Sequence, residues 1–172
     1  MTFNNLPKIH PGNYTVSMKP ALIIPSVIFS LLVWVAAVGA AEKDIIGTWD
    51  VESQDAKMEI YKCGGKYCGR LAWLKDGFYH QDEDKARAGK PRVDDNNPDP
   101  SLRNRPLLGL QIMSEFKYVG DNRWIDGKVY DPDTGNVYSA KITLVSRDRL
   151  DLRGYILFSL LGRTNTWTRS KQ

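Results

Sequence analysis

The chain has 172 residues, with 24 Lys and Arg against 20 Asp and Glu, a formal charge of +4. The charges alternate in sign along the chain instead of gathering into a basic stripe, and aromatics make up only 10%. That pattern belongs to an ordinary solvated surface and excludes nucleic acid as the expected partner.

Residues 1–17 are polar and unpatterned. Ala21 to Ala41 (ALIIPSVIFSLLVWVAAVGAA) is uncharged, with Lys19 before it and Glu42, Lys43 and Asp44 after it. A positive flank, an apolar stretch and a small-residue exit at Gly39, Ala40 and Ala41 predict a secretory signal peptide. An uncleaved anchor is the alternative, because about 20 apolar residues can span a bilayer. Pro25 and the Ala/Gly-rich end favour cleavage. Met18 followed by Lys19 makes a more usual start than Met1. We therefore expect residues 1–41 to be an extension plus signal peptide, and residues 42–172 to be one exported domain, periplasmic or secreted. Without the leader, 22 basic and 20 acidic residues remain, a charge of +2.

Gly47-Thr48-Trp49-Asp50-Val51 opens the domain. The next strong signal is KCGGKYCG, with Cys63 and Cys68 around a Gly64-Gly65 turn. Export implies an oxidising compartment, so these two cysteines are expected to form a disulfide across a hairpin. A redox pair would more typically be C-x-x-C. Met58 and Ile60 alternate with polar neighbours before the turn, as do Leu71 and Trp73 after it. The simplest register sets Ile60 opposite Leu71 and Met58 opposite Trp73, all on one face.

Residues 76–100 break the two-residue rhythm. They are charged and turn-rich, with room for one or two helical turns within His80 to Ala88. A connection this long inside a domain is commonly functional or disordered. Within DDNNPDPSLRNRPLLGL, Asp94, Asp95, Asn96, Asn97 and Asp99 carry oxygens of the kind calcium takes. Local structure accounts for much of the same composition. Asp99 and Pro100 make a helix start, Arg103 and Arg105 suit its end, and Pro106 stops it.

Alternation returns at Leu110 to Tyr118, Trp124 to Tyr130, Asn136 to Val145, Leu150 to Ile156 and Thr164 to Arg169. Asp131-Pro132-Asp133-Thr134-Gly135 reads as a hairpin turn; its echo of a calcium loop fails because no Glu closes twelve residues. The apolar run Ile156 to Leu161, with Phe158 central, reads as core, or else as the edge of a cavity or partner surface. Short, regularly spaced strands and no long amphipathic helix predict an all-β domain: a small antiparallel barrel or a β-sandwich, with one long loop carrying a short helix.

Several of these segments, in this order, resemble an exported bacterial family: GTWDV, CGGKYCGRLAWL, DDNNPDPSLRNRPLLGL, WIDGKVYDPDTGNVYSAKITL and LRGYILFSLLGRTNTWTR. It is the family catalogued as domain of unknown function 2147. The resemblance covers residues 45–169 and implies no catalytic residues. Gly47-Thr48-Trp49 also resembles the G-x-W that opens lipocalin-like (calycin) barrels. That resemblance implies that Arg169 or Arg163, near the end of the chain, packs over Trp49.

Together these readings lead to a small-molecule binding module of the cell envelope. Its expected ligand is small and apolar or amphipathic. Candidate contacts are Trp49, Trp73, Asp95, Asn97, Arg103, Arg105, Tyr130 and Phe158. We expect no cofactor, no metal, no nucleic acid, membrane contact only through an uncleaved leader, and a monomer. The alternatives are a hydrolase or lyase using Asp95, Asp99 or Asp131 with an Arg, and an envelope interaction protein without a ligand.

Overall fold

Alternating side chains give a strand one apolar face, and eight such strands can bury those faces only by closing on themselves or stacking. In a computed structural model, which describes residues 44–156 and 162–171, they close. The strands are β1 (Gly47–Asp50), β2 (Ala56–Cys63), β3 (Lys66–Leu74), β4 (Gln111–Tyr118), β5 (Arg123–Asp131), β6 (Asn136–Ser146), β7 (Arg149–Tyr155) and β8 (Gly162–Arg169). Each pairs antiparallel with its sequence neighbour, and β1 pairs with β8 to complete the barrel. The all-β expectation is met by the barrel, not the sandwich. The interior holds Trp49, Met58, Phe116, Trp124, Ile142 and Leu150 at 1% exposure or less. Packing there is tight enough that a Cβ added at Gly127 would lie 2.1 Å from Phe116 Cε1.

One end of the barrel is sealed by a local arrangement. The Trp49 indole N–H donates to the Ile45 carbonyl at 2.9 Å. Arg169 from β8 lies 4.2 Å above the Trp49 ring centroid. Its guanidinium donates to the carbonyls of Arg147 and Ile46, at 2.7 and 3.1 Å, and to that of Asp44. Arg169, not Arg163, is thus the basic residue over the tryptophan. The cation–π contact and three hydrogen bonds join both ends of the barrel sequence to the β6–β7 turn.

The β2–β3 hairpin turns on Gly64 and Gly65, both at positive φ (54° and 81°), as a two-residue turn requires. Cys63 and Cys68 are disulfide-bonded with Cα atoms 5.9 Å apart. The register differs from the simplest one. Cys63 pairs with Lys66 and Cys68 with Tyr61, so the bond runs diagonally on the outer face. Ile60 then opposes Gly69, and Met58 opposes Leu71. Beyond that pair the ladder slips, with Lys57 opposite Trp73. Ala72 is the extra residue of a β-bulge, and a bulge reverses which side the following residues face. Trp73 therefore points outward, at 41% exposure, instead of joining Met58 inside.

At the other end the β1–β2 loop, the residues 75–110 connecting β3 to β4, and the β5–β6 turn come together. The long connection is ordered by its own backbone bonds. Asp94 N–H donates to the Arg105 carbonyl and Leu107 N–H to that of Arg92, each at 3.0 Å. Two antiparallel lengths thus form a strap, bridged at Val93 and Pro106. His80 to Ala88 makes hydrogen-bonded turns, one of them closed by Asp84 N–H on the His80 carbonyl at 3.1 Å, and does not extend into an α-helix. The expected short helix is a 3-10 turn at Pro100–Leu102, and the Asp99 side chain accepts from Ser101 N–H as its cap.

Candidate functional site at the open end

Two sets of polar residues hold the strap. In the first, Tyr79 is 6% exposed and its hydroxyl donates to Asp95 at 2.5 Å. Arg87 stacks 4.0 Å from the Tyr79 centroid and donates to both Asp95 oxygens and to Asp84. Burial, then the bond to Asp95, pushes the Tyr79 hydroxyl pKa up.

The second set surrounds Asp94, which is fully buried. Its carboxylate accepts from Tyr130 Oη at 2.5 Å, Asn97 Nδ2 at 2.8 Å and Arg105 Nη2 at 2.8 Å. Burial alone would raise its pKa, but these three donors outweigh it and hold the carboxyl below the usual aspartate range. The same contact works the other way on Tyr130. Burial, then the hydrogen bond to Asp94, pushes it up to about 12. A buried carboxylate is tolerated because it is paired and saturated with donors. Arg103 belongs to this end too, donating to the Asn97 carbonyl at 2.7 Å.

Between the strap and the barrel rim lies an open cleft of about 350 Å³. Ala56, Leu71, Leu74, Leu107, Ile112 and Pro132 supply its apolar surface. Asp55, Asp76, Asp133 and Arg92 supply its polar groups. Arg92 is already engaged: it donates to the Asp76 carbonyl at 2.9 Å and to both Glu83 oxygens. The volume is at the small end of the range for small-molecule sites.

Of the residues singled out from sequence, Asp95, Asn97, Arg103, Arg105 and Tyr130 gather at this end, but as fastenings of the strap and not as cleft lining. Trp49 is buried beneath Arg169 in the sealed end, and Trp73 points outward. Neither lines the cleft. Phe158 lies outside the described residues. Its neighbour Ile156 does not sit in the core, at 63% exposure. Asp95, Asp99 and Asp131 do not converge. Asp95 is bound by Arg87, Asp99 caps its 3-10 turn, and Asp131 caps the β5–β6 turn through Asp133 N–H and Thr134 Oγ1. Among the described residues, no group of three His, Cys, Asp or Glu is placed to hold a metal ion.

The cleft residues were harder to find from sequence. Leu71 was legible only as part of the apolar face of the hairpin, and nothing in the sequence singled out Ile112 or Arg92. The one usable signal was Leu107, where the polar stretch ends at Pro106 and the apolar Leu107-Leu108 pair begins.

Residues 47–169 match the model of the family described as "Uncharacterized protein conserved in bacteria (DUF2147)". The chain belongs to that family. In fold, it is similar to a solved structure described as "Protein HP1028 from the human pathogen Helicobacter pylori belongs to the lipocalin family". The identity is 23%, the TM-score is 0.62, and the match covers 74% of this chain and 83% of that one. At that identity the likeness shows the fold, a lipocalin-like barrel. No curated protein matches the chain in sequence. This DUF2147 member therefore combines a recognisable barrel and a sealed, Arg-capped end with a cleft whose lining residues belong to its own strap and rim.

Proposed function

We propose that this DUF2147 domain is an exported binding module that takes a small, partly apolar ligand into the cleft at its open end. The observation that carries the reading is the cleft itself: an apolar floor of Leu71, Leu107 and Ile112 beneath a polar rim. Loops held on a rigid barrel are a common place for binding residues, and concave sites with a few polar groups are the usual form of a small-molecule pocket. The lipocalin-like fold is compatible with this use. Three rim residues are carboxylates, and Arg92 is occupied by Glu83. A ligand head that donates hydrogen bonds or carries positive charge therefore suits the rim better than a carboxylate does. The apolar run at 21–41 and the disulfide support export.

The test is a fluorescence titration with the neutral apolar probe N-phenyl-1-naphthylamine, on the domain purified from the cell envelope. We expect saturable binding, weakened about tenfold or more by Leu107→Trp, which fills the cleft. Binding that Leu107→Trp leaves unchanged would place the probe elsewhere and remove the reading. Native mass spectrometry of the same material would report any co-purifying molecule and whether residues 1–41 are present.

The hydrolase or lyase alternative finds less support, since its candidate carboxylates sit in separate turns. The interaction-protein alternative draws on the exposed Trp73, Phe78 and Leu108, but nothing identifies what would cover them.

A further inference from the structure

We propose that Asp94, Tyr130 and Arg105 are positioning residues for the cleft. They form a pin that sets the separation of its walls without touching what enters. The proposal rests on the binding reading above. None of the three lines the cleft, yet each lies two residues from one that does. Asp94 follows Arg92 by two, Arg105 precedes Leu107 by two, and Tyr130 precedes Pro132 by two. Two residues of extended chain span only about 7 Å. A shift at the pin is therefore passed directly to Arg92 and Leu107 on the strap side and to Pro132 on the barrel side.

The strap and the β5–β6 turn are otherwise far apart in sequence. They meet through the Tyr130–Asp94 bond at 2.5 Å, the bond from Asn97 Nδ2 to Tyr130 Oη at 3.2 Å, and bonds from Asn96 Nδ2 to the Pro132 and Asp133 carbonyls at 3.2 and 3.0 Å, while Arg105 holds Asp94 from within the strap at 2.8 Å. They also touch closely. A Cβ at Gly135, whose φ is +71°, would lie 2.2 Å from the Asn96 carbonyl oxygen. Asp94 is the centre of this junction because its two oxygens receive donors from both sides: Tyr130 from the barrel, Arg105 and Asn97 from the strap. A buried carboxylate with three donors has little freedom to settle elsewhere, and that makes the junction a fixed point instead of a sliding contact.

Tyr130→Phe keeps the ring and removes only the hydroxyl, so it is the first variant to make; Asp94→Asn is the second. Two readouts are needed: the affinity for N-phenyl-1-naphthylamine, and amide hydrogen exchange at Asp94 and Leu107, whose N–H groups bond across the strap. If the variants leave the walls assembled about one-tenth of the time, affinity falls about tenfold, and exchange at both amides accelerates. Ile142→Val, in the barrel interior away from the cleft, is the control for a purely structural loss; it should leave affinity unchanged. Unchanged affinity in both pin variants overturns the proposal, as does an equal loss in Ile142→Val. Should the wild type take up no probe, the binding reading fails and exchange alone decides. Faster exchange in the pin variants then upholds the pin, and unchanged exchange overturns it.

Discussion

Asp94 begins as one of several interchangeable acidic residues in a polar loop and ends as the most buried charge in the described structure. Its environment sets a pH dependence whose sign can be worked out. The folded carboxyl titrates below the ordinary aspartate value of about 3.9. Its contribution to stability is therefore complete above that value and lost as pH falls through the folded one. Tyr130 is the mirror case. Raised to about 12, its contribution is full below the ordinary value of 10.0 and lost as pH rises through about 12. Urea midpoints measured across pH should show wild type falling away at both extremes. Asp94→Asn should cost about 2 kcal/mol at neutral pH and flatten the acid limb. A variant whose acid limb matched the wild type would show that Asp94 does not govern it. In sequence, Asp99 stood apart as a helix start beside Pro100, but nothing marked Asp94, in place of its neighbour Asp95, as the carboxylate to be buried. Asp99 pairs with Ser101 and Asp95 with Arg87 and Tyr79, all within the same connection, whereas Asp94 also takes a donor from β5, Tyr130, 36 residues away.

At the scale of elements, the β2–β3 hairpin separates what is locally coded from what is not. The Gly64-Gly65 turn and the Cys63–Cys68 bond were legible because both arise from neighbours in the chain. The facing of Trp73 was not, because one extra residue at Ala72 reverses it, and alternation has no term for a bulge. Cys63→Ser should lower stability by about 2 kcal/mol, since the loop it closes is short. Thermal melting with and without reductant checks this; reductant should lower the wild-type midpoint and leave the variant unmoved. The strap shows the same division. Its 3-10 turn followed from Asp99 and Pro100, while its path over the rim followed from bonds to β5 and the β5–β6 turn.

For the whole molecule, closure is the decisive step, and it is thinly made. β1 and β8 share only two paired positions, Trp49 with Arg169 and Asp50 with Thr168. Arg169 supplements that short seam with three backbone carbonyls and the Trp49 ring. Arg169→Ala should therefore destabilise the domain by about 2–4 kcal/mol, read as a drop in the urea midpoint. A loss below about 0.5 kcal/mol, typical of an ordinary surface site, would show that the seam holds without it.

The sequence by itself determined the strands, the turns, the disulfide partners and the all-β class, because each depends on spacing within a few residues. Resemblance supplied a basic residue over Trp49, Arg169 or Arg163, and the structure chose Arg169. Only the tertiary structure decided that the polar stretch beginning at Asp94 fastens a strap, that Trp73 faces out, and that the cleft belongs to Leu71, Leu107, Ile112 and Arg92. The physical reason is that burial and pairing across tens of residues exist only once the barrel has closed and brought its open-end loops together.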